Sequence, residues 1–319
     1  MASGKKRAKA ERAATKAATK AAALRDRVGR LEGGVEDEIR PAAPPRLAEI
    51  LRVRPGFRLA DVATRSTPGF DGTKTDGVAA LAAGVKRLSE LQERLFADAR
   101  TGGRSVLLVV QGMDTAGKGG VMRHVVGAVD PQGVRITAFK APTPEEQQHD
   151  FLWRIRRALP NPGQIGVFDR SHYEDVLVVR VHELVPRAVW QRRYTMINRF
   201  ERSVAADGCV IVKVMLHVSR GEQKERLMRR LERPDKYWKY NPADVDERLR
   251  WDDYQAAYEA AVTKCSTDEA PWYVVPADRK WYARWAVQQL LLDALEDLDP
   301  QWPRATFDVE HEQARLAAT

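Results

Sequence analysis

Five short apolar runs punctuate the chain, at 105–110, 134–139, 165–168, 210–218 and 272–275. Each has the length of a strand, and Val106-Leu107-Leu108-Val109-Val110 offers an apolar side chain to both faces, as a strand covered on two sides requires. Between and after these runs, helical patterns occupy 120–128, 145–158, 187–206, 222–232 and 280–296. Upstream, Leu81, Val85, Leu88, Leu91 and Leu95 recur along one face of a helix over 78–99. Strand alternating with helix predicts an α/β domain with a central parallel sheet and helices on both faces. Turn signals at Pro55-Gly56 and Pro68-Gly69 precede the first helix, and no internal repeat is evident.

The first strand runs into Gly112-Met113-Asp114-Thr115-Ala116-Gly117-Lys118-Gly119-Gly120, which satisfies G-x-x-x-x-G-K and then opens into a helix. That order is a phosphate-binding loop. The N–H groups around Gly112, Ala116, Gly117, Gly119 and Gly120 converge on phosphate oxygens, the helix N-terminus adds positive partial charge, and Lys118 reaches the phosphates. Gly119 stands where such loops usually carry a metal-binding Ser or Thr, and Asp114 places an acid inside the loop. A carboxylate beside phosphate needs a metal, a proton or a substrate hydroxyl between them, so Asp114 reads as a metal-side or general-base residue. The alternative is a capping Asp in a glycine turn.

A second strand, Ile165-Gly166-Val167-Phe168, ends in Asp169-Arg170-Ser171. An acid at the end of a strand beside a phosphate loop holds Mg²⁺ in this kind of fold, which makes Asp169 the second metal candidate; the bland reading is a cap for the stretch from Ser171. Arg170 offers a planar fork of donors to a transferring phosphoryl group. His172 reads as a locally hydrogen-bonded side chain rather than a phosphorylated nucleophile. The stretch 219–262 is charged, helical in pattern and broken at Arg233-Pro234 and Asn241-Pro242, with Arg226, Arg229, Arg230, Arg233 and Lys236 around the first break. Its position predicts a helical lid, against the plainer reading of a solvated amphipathic pair.

Taken in order, G-M-D-T-A-G-K-G-G, F-D-R-S-H-Y-E-D-V and P-W-Y-V-V-P-A-D-R-K-W resemble the polyphosphate kinase 2 family. P-Q-G-V-R at 131–135, P-T-P-E-E at 142–146, H-D-F-L-W-R at 149–154 and K-Y-W-K-Y-N-P-A-D-V-D-E-R at 236–248 extend the resemblance over roughly 45–300. It implies a three-layer α/β P-loop kinase-like fold with a central parallel sheet and a helical lid. The implied activity is metal-dependent transfer of a phosphoryl group between inorganic polyphosphate and a nucleotide, with Mg²⁺ as cofactor and Mn²⁺ able to replace it. By motif position, Asp114, Lys118, Asp169 and Arg170 correspond to the catalytic set, with Asp114 and Asp169 on the metal. Arg229 and Arg230 fall at the lid arginines, and Arg123 and Lys140 are further contacts for the polyphosphate chain. Relatives form dimers or tetramers, which implies a homo-oligomer. The stretch 171–182 resembles the subgroup acting on both nucleoside mono- and diphosphates, whereas Gly119 and Asp169 look more like the diphosphate-specific subgroup. The resemblance leans to AMP and ADP both being accepted, with GMP and GDP as further acceptors.

Competing readings are an ATP-dependent nucleotide or small-molecule kinase on the same core, and a polyphosphate-binding protein without activity. The formal charge of +9 bears on the second. Residues 1–30 alone carry ten basic and two acidic side chains, so the rest of the chain is nearly neutral and the charge is no signature of nucleic-acid binding. This Ala/Lys-rich tail reads as a flexible extension or as a polyanion-binding arm, and it lacks the apolar stretch of a secretion signal. The expected organisation is a tail over 1–30, a helical segment over 31–100, a phosphotransferase core over 101–300 with its lid at 219–262, and a C-terminal tail over 301–319. No apolar run approaches a membrane span. Cys209 and Cys265 are isolated in sequence, which suits a reducing cytoplasm.

Overall fold

The computed structural model describes residues 45–99 and 102–319. The basic tail expected over 1–30, and the beginning of the helical segment expected from 31, lie outside the described residues. Among the described residues five strands form one sheet: β1 (Ser105–Gln111), β2 (Val134–Ala138), β3 (Ile165–Asp169), β4 (Cys209–His217) and β5 (Trp272–Pro276). They lie in the order β2-β3-β1-β4-β5, and every neighbouring pair is parallel. All seven residues of β1 are buried, as its unbroken apolar run requires at the centre of a two-sided sheet. The register pairs Val110 with Asp169 on one side and Val214 on the other. Parallel strands end at one edge of the sheet, so the loops after β1, β3, β4 and β5 emerge side by side, where ligands bind in open α/β sheets.

The helices, in chain order, are α1 (Leu47–Leu51), α2 (Lys74–Asp98), α3 (Lys118–His124), α4 (Trp153–Ala158), α5 (Val178–Val181), α6 (Arg187–Ala206), α7 (Arg220–Leu231), α8 (Ala243–Leu249), α9 (Trp251–Lys264), α10 (Lys280–Leu298) and α11 (Val309–Ala317). Both faces of the sheet are covered. Lys213 and Trp272 point to the side of α6, where Lys213 meets Glu201. The next residue along β5, Tyr273, turns to the other side, towards Asp293 and Asp297 of α10. There α10 packs against α2, whose start is fixed by a capping box between Thr73 and Asp76. The result is the three-layer α/β arrangement. No helix among the described residues is long and apolar enough to cross a membrane.

Two expected helices are shorter than their patterns. The run 120–128 becomes α3 and then a 3₁₀ turn at Val126–Ala128, past the β-branched pair Val125-Val126. In 145–158, the Asp150 side chain accepts the Leu152 N–H at 3.0 Å, and this local turn leaves only α4 as regular helix. The segment expected as a lid also divides. Its last part, α9, buries Trp251, Tyr254, Ala257, Tyr258, Ala261 and Val262 and is part of the packed body. The part before it is more open, with Trp238 77% and Leu249 76% exposed. Helix α11, inside the expected C-terminal tail, buries none of its residues.

Candidate functional site

The loop between β1 and α3 turns back sharply over Gly112, at φ 151°, and Gly117, at φ 125°. A Cβ at Gly112 would come within 2.8 Å of the Leu216 carbonyl oxygen, so only glycine lets the loop leave β1 so close to β4. Thr115 takes a left-handed φ of 62° without being glycine. The turn is braced from below by Arg226 of α7, only 3% exposed. Its guanidinium donates to the carbonyls of Thr115 (2.8 Å), Ala116 (2.9 Å), Ala277 (2.6 Å) and Asp278 (3.0 Å). One side chain thereby ties the phosphate loop to the loop after β5. Gln223, one turn earlier, donates to the Asp114 carbonyl at 3.1 Å.

Lys118 folds back over its own loop, its ammonium donating to the Gly112 carbonyl at 2.6 Å. Desolvation lowers its pKa, with Asp114 opposing that shift. At the end of β3, Arg170 takes a left-handed φ of 64° and reaches across to Asp114, with 3.0 Å between Nη2 and Oδ1. Desolvation pulls this guanidinium down, but Glu174, Asp114, Tyr258 and Asp169 together outweigh it and raise its pKa. Beneath it, burial pushes the Glu174 carboxyl up against the opposing pull of Arg170 and Lys118. Strained backbone at Thr115 and Arg170, on two loops that face one another, is the kind of feature that marks a functional site.

Two cavities meet here. The larger, about 530 Å³, is a groove walled by the loop, by Arg123, by Arg226, Arg229 and Arg230 of α7, by Arg233, Lys236 and Lys239 beyond it, and by Lys280 and Arg284 of α10. Asp114, Lys118 and Asp169 all face it. Its cations disfavour one another: desolvation, then Arg226 and Arg229, push Lys280 down to about 8. Arg284 is lowered by desolvation and by Arg123 and Arg226. A polyanion would relieve this repulsion. The smaller cavity, about 230 Å³, opens on the other side of Asp114 and Arg170, and carries Glu174, Asn241, Asp244, Glu247, Tyr254 and Tyr258.

The groove therefore gathers Asp114, Ala116, Gly117, Lys118, Gly119, Gly120, Arg123, Asp169, Arg229 and Arg230, while Gly112 and Arg170 line the smaller cavity with Asp114. Lys140 is placed elsewhere. It lines a third cavity of about 410 Å³ with Arg135 and Arg154. The cause is the strand order: β3 lies between β2 and β1, so the chain leaving β2 starts one strand further from the phosphate loop. Sequence reasoning missed Glu174, although it sits five residues after Asp169 in F-D-R-S-H-Y-E-D. It also missed Lys280 and Arg284, whose i, i+4 spacing at the start of α10 aims both at the groove.

Among the described residues, no three His, Cys, Asp or Glu side chains converge as a metal-ligating cluster. Asp114 and Asp169 nonetheless offer hard oxygen donors to one groove. Such a pair suits a divalent ion that completes its shell with phosphate oxygens and water rather than an all-protein cage.

Comparison with known proteins gives one answer. The family described as polyphosphate kinase 2 (PPK2) matches residues 72–303. An AMP/ADP-polyphosphate phosphotransferase of Meiothermus ruber is 46% identical over 255 residues, covering 79% of this chain and 94% of its own. An ADP-polyphosphate phosphotransferase of Rhodopseudomonas palustris is 46% identical over 234 residues, covering 70% of this chain and 80% of its own. The crystal structure of polyphosphate kinase 2 from Arthrobacter aurescens TC1 superimposes with a TM-score of 0.85 at 56% identity, covering 86% of this chain and 98% of that one. With the ordered motifs, the P-loop kinase-like sheet and the cationic groove in agreement, the chain belongs to the polyphosphate kinase 2 family.

Proposed function

We propose that this enzyme transfers a phosphoryl group between inorganic polyphosphate and a nucleoside mono- or diphosphate, with Mg²⁺ as the resident divalent ion. The observation that carries the reading is the character of the groove. Apart from Asp114 and Asp169 at the loop, its charged wall is cationic, and among the described residues no Phe, Tyr or Trp lines it as a platform for a donor base, the imidazole of His124 being the one ring there. Such a surface suits a bare chain of phosphates better than ATP, which disfavours the ATP-dependent kinase reading. The smaller cavity, with its carboxylates and tyrosines, meets the groove at Asp114.

In this reading polyphosphate lies along Arg123, Arg229, Arg230, Lys280 and Arg284, its end over the loop amides and Lys118. The acceptor's terminal phosphate oxygen attacks the end phosphorus of the chain. The bond from that phosphorus to the bridging oxygen breaks, and the shortened chain keeps the electron pair. No protein nucleophile is needed, so the protein's work is positioning and charge neutralisation. Arg170 spreads its fork of donors over the phosphoryl group in transit. Asp114 and Asp169 would hold Mg²⁺, which when bound would offset the charge of the phosphates. His172 takes no covalent part, since it is 1% exposed and pairs with Glu201.

For the acceptor, the Meiothermus ruber relative is named for AMP and ADP and the Rhodopseudomonas palustris relative for ADP. This supports both as substrates here. The test is incubation of the protein with Mg²⁺, long-chain polyphosphate and AMP, ADP, GMP or GDP in turn, resolving the nucleotide products. Phosphorylation of AMP and ADP is expected. No product from any nucleotide, or equal product without polyphosphate, would refute the reading.

A further inference from the structure

A lysine lies where the sheet has no evident use for one. Lys213 is in the middle of β4 and is 0% exposed. Its ammonium donates to Glu201 Oε2 of α6 (2.5 Å), to the Cys265 carbonyl (2.6 Å) and to the Tyr173 hydroxyl (2.9 Å), which uses all three of its hydrogens. It also lies 5.3 Å from the centre of the Trp272 ring. Glu201 is 1% exposed, and its other oxygen accepts from the Tyr173 hydroxyl (2.9 Å) and lies 3.1 Å from His172 Nε2. Burial alone would push this carboxyl up, but Lys213 and His172 more than offset it and hold it below its usual range.

Stability does not account for such a pair. Taking two charges out of water is costly, and apolar residues of similar volume often do as well or better. What the pair holds is more informative. Tyr173 and His172 both end on Glu201, and both belong to the loop that leaves β3. The backbone N–H of Tyr173 donates to Ser171 Oγ at 3.2 Å, and Ser171 Oγ accepts from Gln111 at the end of β1 at 3.1 Å. The next residue back is Arg170, in its left-handed conformation with its guanidinium on Asp114. A conformation that costs energy persists only where its surroundings over-determine it.

We propose that the buried Glu201–Lys213 pair, acting through the Tyr173 hydroxyl, is a positioning device that fixes the 170–174 loop so that Arg170 is aimed at the phosphoryl group in transit. It rests on the phosphoryl-transfer reading above. Neither residue of the pair touches substrate, and each acts through Arg170.

The test is a double-mutant cycle on Tyr173→Phe and Arg170→Lys, with thermal midpoint, kcat and polyphosphate KM measured for each variant. Tyr173→Phe keeps the ring and removes the hydroxyl link between pair and loop, leaving the His172–Glu201 contact in place. It is expected to lower kcat about tenfold or more with little change in KM, because a small misplacement of a catalytic group acts on turnover. In the Arg170→Lys background, the same substitution is expected to change kcat by less than about twofold, since its route of action has gone. The apolar replacement Glu201→Leu with Lys213→Met is expected to fold and to show the same selective loss of kcat. Multiplying effects in the cycle, or a Tyr173→Phe variant that loses thermal stability while keeping the parent kcat, would overturn positioning and leave a merely structural pair. An inactive parent would overturn the functional reading as well, so the two failures are distinguishable.

Discussion

Arg170 Nη2 stands 3.0 Å from Asp114 Oδ1, although the two residues leave the sheet on different strands. This ion pair joins the loop after β1 to the loop after β3 and sits where the cationic groove meets the smaller cavity. In the proposed reaction a phosphoryl group passing between the cavities would cross this junction, and the pair would separate for Arg170 to meet the phosphate.

Asp114→Asn and Asp169→Asn should each lower turnover by about 100-fold or more, because each removes a charge that balances the metal among phosphates. Arg170→Lys should lose a comparable amount, since an ammonium cannot reproduce the planar fork. Steady-state kinetics with saturating Mg²⁺ and polyphosphate, beside far-ultraviolet circular dichroism to confirm folding, checks all three. Turnover near the parent's in both Asn variants would remove the carboxylates from the chemistry.

Arg226 and Arg229 are three residues apart on α7 and should fail differently. Arg226 is buried under four carbonyls, so Arg226→Lys should cost about 2–4 kcal/mol in urea denaturation by leaving buried acceptors without donors. The Arg229 side chain is 52% exposed at the groove. Arg229→Lys should leave the urea midpoint unchanged, and Arg229→Ala should raise polyphosphate KM. Equal stability losses in Arg226→Lys and Arg229→Lys would contradict the brace.

Polyphosphate binding should weaken as pH rises through about 8, the value to which Lys280 is pushed. A polyanion favours the protonated ammonium, so affinity is greatest below that pH and falls as the proton is lost. The effect on folding has the opposite sign. Between about 8 and the usual lysine range the unfolded chain binds the extra proton, so the destabilisation caused by Lys280 fades as pH rises. Polyphosphate KM measured from pH 7 to pH 9 should climb in the parent and stay flatter in Lys280→Arg, whose charge does not titrate there. Parallel profiles would exclude Lys280 from the effect.

The glycines of the phosphate loop should not be equivalent. Gly112→Ala brings a Cβ against the Leu216 carbonyl at a φ that side chains avoid, and should cost about 2 kcal/mol or more. At Gly119 a Cβ would meet nothing within 4 Å, so Gly119→Ser should leave the thermal midpoint unchanged. Differential scanning calorimetry separates the two, and equal midpoints would contradict the crowding at Gly112.

The sheet was legible because its signal is local. The Val106–Val110 run and the helical patterns between strands state their own burial, and β1 to β5 fall within a residue or two of the patterns that predict them. That Asp114, Lys118 and Asp169 face one groove, with Arg170 beside it, was legible for a related reason: all four lie at or after the ends of β1 and β3 in chain order. What the local pattern conceals is partnership at long range. Lys213 interrupts an apolar run and becomes intelligible only beside Glu201, Tyr173 and Cys265. Arg226 and Arg229 share one charged stretch, and only the fold shows that Arg226 is also the buried brace. That Lys140 lines a separate cavity was not legible, because adjacency in a parallel sheet follows strand order, not chain order.

The meeting of the two cavities at Asp114 has a consequence for how a long substrate is consumed. If, in the proposed reaction, the nucleotide enters through the smaller cavity and the polymer through the groove, each reactant would have its own entrance. A phosphorylated nucleotide would then depart while the shortened polymer stayed in its trough, a layout that would favour processive use of a single chain.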